Sequence, residues 1–340
     1  IAIDRCIVPA VEFGWYSDSH ELVDADDPAQ VVFTSGTEGQ PKAIVLSYTN
    51  QADAARRLIH AQYLSGEVRE YVGVPVTYSF GMGRFRAIAA VGGRAYLPAR
   101  GFDPLELARM LRNREVNALS AVPTLLRILL EEPAIIGDSG GHLRWLEIGS
   151  QYMSAEEKRL VCALFPNARV IQHYGLTEAS RTTFLDVSAA PVEALESVGR
   201  AEGAVEVELD ERGRIRIRGP HVARWRVDGE GLHALCDADG WLQTNDLGHL
   251  QHGWLFFDGR ADDLINCGGV KIVPDLLEER IRERWHAGAR FAVARVRYIS
   301  TPSDHLMLAL LLAIAVSGLA MKYLAHTDVV AVKAFFLGLM

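Results

Sequence analysis

Two hydrophobic patterns divide the chain, and the change between them falls near Glu196. From Val31 to about Leu185, short apolar runs of strand length separate stretches with helical spacing. Val31-Val32-Phe33 reads as a buried strand, and 71–76, 94–97, 118–122, 143–148 and 169–172 read as further strands. Between them, Asp103-Pro104-Leu105-Glu106 predicts a helix start, with aspartate as the cap and proline at the first helical position. Ser154-Ala-Glu-Glu157 predicts a second start through a capping box. Strand–helix alternation of this kind predicts an α/β fold with a mostly parallel sheet. Beyond Glu196 the period shortens to two, in Glu206-Val-Glu-Leu and Arg214-Ile-Arg-Ile-Arg218, with turn signals at Gly213 and Gly219-Pro220. With Trp254-Leu-Phe-Phe257 this predicts a small β subdomain. After Gly259-Arg260-Ala-Asp-Asp263 the rest reads as a small α+β unit: strands at 290–299, 305–313 and 329–336 with a helix at 316–326.

Composition narrows the possibilities. A chain of 340 residues, 49 % hydrophobic, suggests two domains with ample core. The net charge of −8 and the lack of a long basic run argue against nucleic acid as a partner. Cys6, Cys162, Cys236 and Cys267 have neither metal-ligand spacing nor the density of a disulfide scaffold, which fits a reducing, cytoplasmic setting. The apolar stretch from Leu306 to Met321 contains Ser317 and Gly318 and is shorter than the ~20 residues a membrane span needs. It reads as a strand running into a helix near Ser317, not as a membrane span. No secretory leader is expected in the stretch after Ile1, because no basic region opens it and Asp4 and Arg5 interrupt the apolar run.

Three stretches carry chemistry. Thr34-Ser-Gly-Thr-Glu-Gly-Gln-Pro-Lys42 combines hydroxyls, glycines and a lysine directly after a strand. Glycines let backbone amides approach an anion, hydroxyls donate to phosphate oxygens, and Lys42 adds a point charge. Composition alone serves a linking loop equally well, and it is not a Walker loop, since Lys42 follows Gln-Pro and no Ser/Thr comes after it. His173-Tyr-Gly-Leu-Thr-Glu178 ends a predicted strand, where ligands bind in open α/β sheets. Tyr174 can stack on a base, Gly175 lets the backbone pass close, Thr177 can bond a phosphate, and Glu178 can hold Mg²⁺. Thr244-Asn-Asp246 ends in a carboxylate able to accept two hydrogen bonds from a vicinal diol.

In order and spacing, these stretches resemble the AMP-forming acyl/aryl-CoA synthetase superfamily, which includes carrier-domain adenylation modules. The first resembles the family's phosphate loop, with Glu38 for the middle hydroxyl and Ala43 for the last glycine; the second resembles its Tyr-Gly-x-Thr-Glu motif; the third its Thr-Gly-Asp, with Asn245 for glycine. Phe257-Asp-Gly-Arg-Ala-Asp-Asp-Leu-Ile-Asn-Cys-Gly-Gly-Val-Lys-Ile-Val-Pro274 is the longest match. The resemblance implies that Thr34, Ser35, Gly36, Thr37, Gly39 and Lys42 hold the β/γ-phosphates. It implies that Thr177 and Glu178 place the α-phosphate and metal, and that Gly149, His173, Tyr174, Gly175, Asp246 and Arg260 hold the nucleoside. Pro75-Val-Thr-Tyr-Ser-Phe-Gly81 resembles the segment that gates the acid pocket, which brings in Tyr78 and Gly81, and Gly149-Ser150-Gln151 resembles the loop that flanks adenine and the acyl pocket, which brings in Gln151.

Further expectations follow from the same resemblance. A domain of residues 1–258, lacking its first part, precedes a truncated lid of 259–340 that swings about Asp262, with Gly268 and Gly269 leaving room for a pantetheine arm. The implied cofactors are ATP and Mg²⁺, with CoA or phosphopantetheine as acceptor. The implied reaction activates an aryl or fatty acid as acyl-AMP and passes it to a thiol. A module loading a carrier protein, and a remnant that only binds nucleotide, are the alternatives. In amino-acid-activating relatives an aspartate follows an aromatic in the Tyr78 segment, where this chain has Phe80-Gly81 near Arg84 and Arg86, so an acid without an ammonium is expected. The family's catalytic lysine would lie beyond Phe335-Phe336, and Lys333 belongs to the preceding strand.

Overall fold

The computed structural model describes residues 24–34, 42–149 and 151–261, and beyond them four strands at 265–267, 270–272, 291–296 and 309–314. The chain divides into two compact units, Ile1–Phe257 and Asp258–Met340.

The first unit is built on a seven-stranded sheet. Its strands are β3 (Arg69–Val72), β4 (Arg94–Tyr96), β5 (Ala118–Ala121), β6 (Trp145–Ile148), β7 (Arg169–Tyr174), β8 (Thr183–Asp186) and β9 (Arg200–Ala201), in the order β4-β3-β5-β6-β7-β8-β9. The pairs from β4 to β7 are parallel, and β8 and β9 add antiparallel. Every residue of β5 and β6 is buried, as befits central parallel strands covered on both faces. Leu119 and Leu146 pack with α3 (Pro104–Arg112), α4 (Pro123–Glu131) and α5 (Ala155–Leu164). Their neighbours Ala118 and Trp145 face the other way, onto α1 (Tyr48–Gln62) and α2 (Ser79–Ala90). Both expected caps form: Asp103 accepts from the amides of Leu105 and Glu106, and Ser154 and Glu157 make a reciprocal capping box. A second capping box, Ser47 with Asn50, starts α1.

Two four-stranded antiparallel sheets complete the unit. One is β10 (Glu206–Leu209), β11 (Arg214–Arg218), β14 (Leu242–Gln251) and β15 (Trp254–Arg260), in that order. The other orders β1 (Pro28–Thr34), β2 (Lys42–Ser47), β12 (Trp225–Asp228) and β13 (Gly231–Ala234). The run Val31-Val32-Phe33 is therefore not a buried strand of the parallel sheet. It lies on an antiparallel edge, where side chains alternate between faces: Val32 is buried, while Phe33 is 73 % exposed.

In the second unit β16 (Ile265–Cys267) and β17 (Val270–Ile272) form a ladder that closes at Cys267 opposite Val270. The strands β18 (Phe291–Val296) and β19 (Ala309–Ile314) pair antiparallel over six residues each and fall within the expected 290–299 strand and largely on the expected 305–313 strand. Asp262, Gly268, Gly269 and the expected helix and strand after 316 lie outside the described residues.

Candidate functional site

The carboxyl end of β7 delivers His173 and Tyr174 to the rim of the parallel sheet. The chain then closes a tight loop, with the Leu176 amide donating to the Ala179 carbonyl (3.0 Å) and the Ala179 amide returning to Leu176 (3.2 Å). At Gly175 a Cβ would overlap the Arg181 amide, so the loop's closure on itself requires glycine there. Thr177 and Glu178 stand half-buried on this loop. It is held from outside as well: the Ala223 amide donates to the Glu178 carbonyl (2.8 Å), and Ala179 bridges Val222.

Tyr174 and Asp246 meet. The phenol donates to Asp246 Oδ2 at 2.7 Å, joining the end of β7 to β14. The Asp246 amide donates to Thr244 Oγ1 (3.1 Å), and that hydroxyl donates to the Ile215 carbonyl (2.7 Å), which anchors the carboxylate's backbone. Tyr174 is itself mostly buried, its ring tilted against Phe257. Arg260 ends β15, beyond the division between the units.

The phosphate-loop candidate is the connection of a β-hairpin. Thr34 pairs with Lys42 as the last rung between β1 and β2. Lys42 is half-buried; Ser35, Gly36, Thr37 and Gly39 lie outside the described residues.

The acid-segment residues are placed at the start of α2 and across the sheet end. Tyr78 is the N-cap of α2 and is 66 % exposed. Gly81 has the Pro75 carbonyl where a Cβ would stand, and Gly149 has the His173 ring there. Gln151 is exposed and accepts from Thr124 Oγ1 at 2.6 Å, so it turns toward α4. His173 lies inside, in edge contact with Phe80 and with its Nδ1 2.8 Å from Glu147 Oε1. Burial lowers its pKa despite the adjoining carboxylate.

One constellation had no signal in the linear sequence. Glu147, Arg84, Arg181 and Glu70 are fully buried between β3, β6 and α2. Arg181 reaches Glu147 through Nε (2.8 Å) and Nη2 (3.1 Å), and Arg84 Nη1 lies 3.2 Å from the same carboxylate. Arg84 also forks onto Glu70 and donates to Gln62. Arg84 is thus spoken for by acids of the core. Burial alone would raise the Glu147 pKa, but the surrounding charges, that of Arg181 foremost, hold it well below the usual carboxylate range. Arg181 Nη2 donates to the Phe80 carbonyl (3.2 Å), and Arg57 Nη1 donates to the Arg181 carbonyl (2.6 Å). Through Arg181, the loop carrying Thr177 and Glu178 is tied to α2 and α1 at once.

A parallel sheet with helices on both faces thus carries a Thr/Glu loop and a Tyr–Asp pair at its strand ends, the place where open α/β sheets bind ligands. Residues 8–225 match the family described as AMP-binding enzyme, and the chain belongs to that family. It is 27 % identical over 288 residues to 2-succinylbenzoate–CoA ligase from Listeria monocytogenes, covering 84 % of this chain and 59 % of that protein. Among solved structures it resembles O-succinylbenzoate Coenzyme A Synthetase from Bacillus subtilis in complex with ATP and magnesium ion (TM-score 0.68, 26 % identity, 80 % of this chain and 58 % of that one). It also resembles ATP-bound MatB from Rhodopseudomonas palustris (TM-score 0.69, 25 % identity, 81 % and 56 %). The chain thus spans rather more than half the length of these relatives.

Proposed function

We propose that this chain carries the adenylation site of an AMP-forming acid–thiol ligase. The site activates a carboxylic acid with ATP as acyl-AMP, for transfer to CoA. The single observation that carries the reading is the 2.7 Å Tyr174–Asp246 bond beside the Thr177–Glu178 loop. The bond holds the Asp246 carboxylate at the strand ends, and a carboxylate is the group that accepts from a ribose diol. Relatives of known structure hold ATP, AMP or an acyl-adenylate, and relatives named as CoA ligases support CoA as the acceptor.

In this reading Thr34, Ser35, Gly36, Thr37, Gly39 and Lys42 cradle the β/γ-phosphates, and Thr177 donates to the α-phosphate. Gly149, Gly175 and Arg260 complete the nucleotide's surroundings, with His173 supporting Gly149 from beneath. Among the described residues no group of three or more His, Cys, Asp or Glu side chains could hold a metal alone. A single half-buried carboxylate suits Mg²⁺, which takes most of its ligands from phosphate and water; Glu178 would hold it, and the ion would neutralise phosphate charge. Catalysis is positioning and charge stabilisation: the acid carboxylate attacks the α-phosphorus, and pyrophosphate leaves. Tyr78, Gly81 and Gln151 border the acid's approach. The second unit acts as the lid, with Asp262 as hinge and Gly268 and Gly269 on the thiol's path. No helix among the described residues is long and apolar enough to cross a membrane.

The test is acid-dependent exchange of pyrophosphate into ATP. Glu178→Gln and Lys42→Ala are expected to lower it about 10²–10³-fold with melting curves unchanged, as for loss of one preorganised charge contact. Near-normal exchange by purified Glu178→Gln would remove the metal assignment.

A further inference from the structure

The loop of Thr177 and Glu178 leads back into β8 through Arg181, whose backbone is left-handed, with φ 58°. A bulky residue held in that region is strained, and the strain persists only where the surroundings fix it. Arg181 is 1 % exposed and is fixed at both ends. At the backbone end, its amide lies where a Cβ of Gly175 would stand, and its carbonyl accepts from Arg57 Nη1 at 2.6 Å. Arg57 is in turn buried and held to Asp53 of α1 at 2.7 Å. At the side-chain end, the guanidinium meets Glu147 of β6 and the Phe80 carbonyl of α2, and lies 5.5 Å from the centre of the Phe80 ring. Gly83 of α2 makes room for it: a Cβ there would overlap Arg181 Nη1.

These anchors bear on two segments with different tasks. The loop's own backbone bonds run between Leu176 and Ala179 and out to Val222 and Ala223. Arg181 adds the tie to the parallel sheet and to α2. Phe80, which takes that tie, lies between Tyr78 and Gly81, in the segment that borders the acid's approach. One side chain therefore spans the acid segment and the loop that carries Thr177 and Glu178. The planar guanidinium suits this task, because its fixed fork can serve a carboxylate and a carbonyl at once, which a lysine ammonium cannot do in the same geometry.

We infer that Arg181 is a positioning residue for adenylation: it holds the Thr177–Glu178 loop at a set distance from the Tyr78–Gly81 segment, so that the acid carboxylate and the α-phosphate meet in line. This rests on the adenylation reading above. Arg181 touches neither substrate and acts through Thr177 and Glu178. The nucleoside is held elsewhere, by Tyr174 and Asp246, so loss of Arg181 should slow the chemical step and leave ATP binding nearly unchanged.

The experiment measures acid-dependent pyrophosphate exchange by the full chain over a range of ATP concentrations, with benzoate, phenylacetate and octanoate as acids, beside amide hydrogen exchange of Leu176 and Ala179. Arg181→Gln should lower the maximal rate about 10²-fold, as for a misplacement of about 1 Å, with half-saturating ATP within about three-fold of the parent. The two amides should exchange about 10-fold faster. Arg181→Lys should recover part of the rate. Arg181→Gly relieves the left-handed backbone but lacks the guanidinium, and should be as slow as Arg181→Gln. The double variant Glu147→Gln with Arg181→Gln removes both charges of the pair and leaves Arg84 with Glu70, so it should melt near the parent, yet its rate should stay low. Recovery of the parent's rate in that double variant would overturn the inference, because Arg181 would then only neutralise Glu147. Unchanged protection of the two amides in Arg181→Gln, or a loss of rate fully restored by more ATP, would overturn it as well. If the parent bound neither ATP nor AMP while the amides still opened in Arg181→Gln, the adenylation reading would fall and Arg181 would stand as the anchor of the loop.

Discussion

The parallel sheet and the β1-β2-β12-β13 sheet treat the two sides of their strands in opposite ways. In the parallel sheet, both faces of β5 and β6 are covered, and the cover includes charge: Glu147 is on β6, with Arg84 and Arg181 packed onto it. In the antiparallel sheet one face rests on a small core of Val32, Ile44 and Leu46, while the other leaves Phe33, Trp225 and Leu232 well exposed. The lesson is that burial, not polarity, decides how strictly a position is determined. A charge inside the parallel sheet must be answered by an opposite charge at hydrogen-bond distance, whereas a phenylalanine on the outer face need be answered by nothing.

Breaking the interior network gives the largest expected effect. Glu147→Leu strands the buried Arg181 guanidinium and takes from Arg84 one of its two carboxylates, and removal of one partner from a buried ion pair typically costs about 3–5 kcal/mol. Urea unfolding measures this, and Glu147→Gln, which keeps acceptor and shape, should lose less. A loss under about 1 kcal/mol for Glu147→Leu would mean that Arg84 and Arg181 find other partners and that the network does not hold the Thr177–Glu178 loop.

Gly149→Ala sharpens the comparison without altering charge. The new methyl would overlap the His173 ring, which is confined between Glu147 and Phe80. Overpacking of this kind costs about 1–3 kcal/mol. The variant with His173→Ala, in which the overlap is relieved, should recover part of the loss; strictly additive losses in the double variant would contradict the packing account.

Acid should loosen the interior next. Burial, helped by the Arg57 charge, lowers the His221 pKa to about 3 from 6.5, and burial lowers His173 as well. The folded state keeps these rings neutral while the unfolded chain takes up protons below about pH 6.5. Their stabilising contribution is complete above that pH and is lost as pH falls toward the folded value. Between pH 7 and pH 5, before Glu147 titrates in the unfolded chain, stability should fall by about 1–2 kcal/mol on the linkage scale. His221→Asn should flatten that slope; an unchanged slope would show that His221 protonates freely in the fold.

Much of this architecture was legible in the sequence because it rests on local signals. Asp103-Pro104 and Ser154–Glu157 announce their helices through caps that need no distant partner. The motif order around Thr34, Tyr174 and Asp246 likewise survives as linear text. The Glu147–Arg84–Arg181 network does not, because its members are far apart in the chain and meet only through the parallel register. Arg84 and Arg86 look alike in sequence, and only the helix they share, with its inner and outer faces, gives one two glutamates and the other a neutral amide. Val31-Val32-Phe33 misled for the converse reason: a three-residue apolar run has no readable period, so a one-sided edge strand looks like a strand buried on both faces.

That run supplies the smallest expected effect and the sharpest contrast between adjacent residues. Val32 is 7 % exposed and packs on Ile44, Leu46 and Ala223, whereas Phe33 is 73 % exposed and stands opposite Ala43 on the outer face. Burial of a valine side chain is worth roughly 1.5–3 kcal/mol, and Val32→Ala should lose a large part of it. Phe33→Ala removes a bigger side chain, yet most of its surface is already in water. What remains is a cross-strand contact worth a few tenths of a kcal/mol, so the change should stay within about 0.5 kcal/mol. The order is therefore the reverse of side-chain size, and urea unfolding of the two single variants measures it directly. If Phe33→Ala proved the more costly, the outer face would be covered in solution and the contrast between the two sheets would disappear.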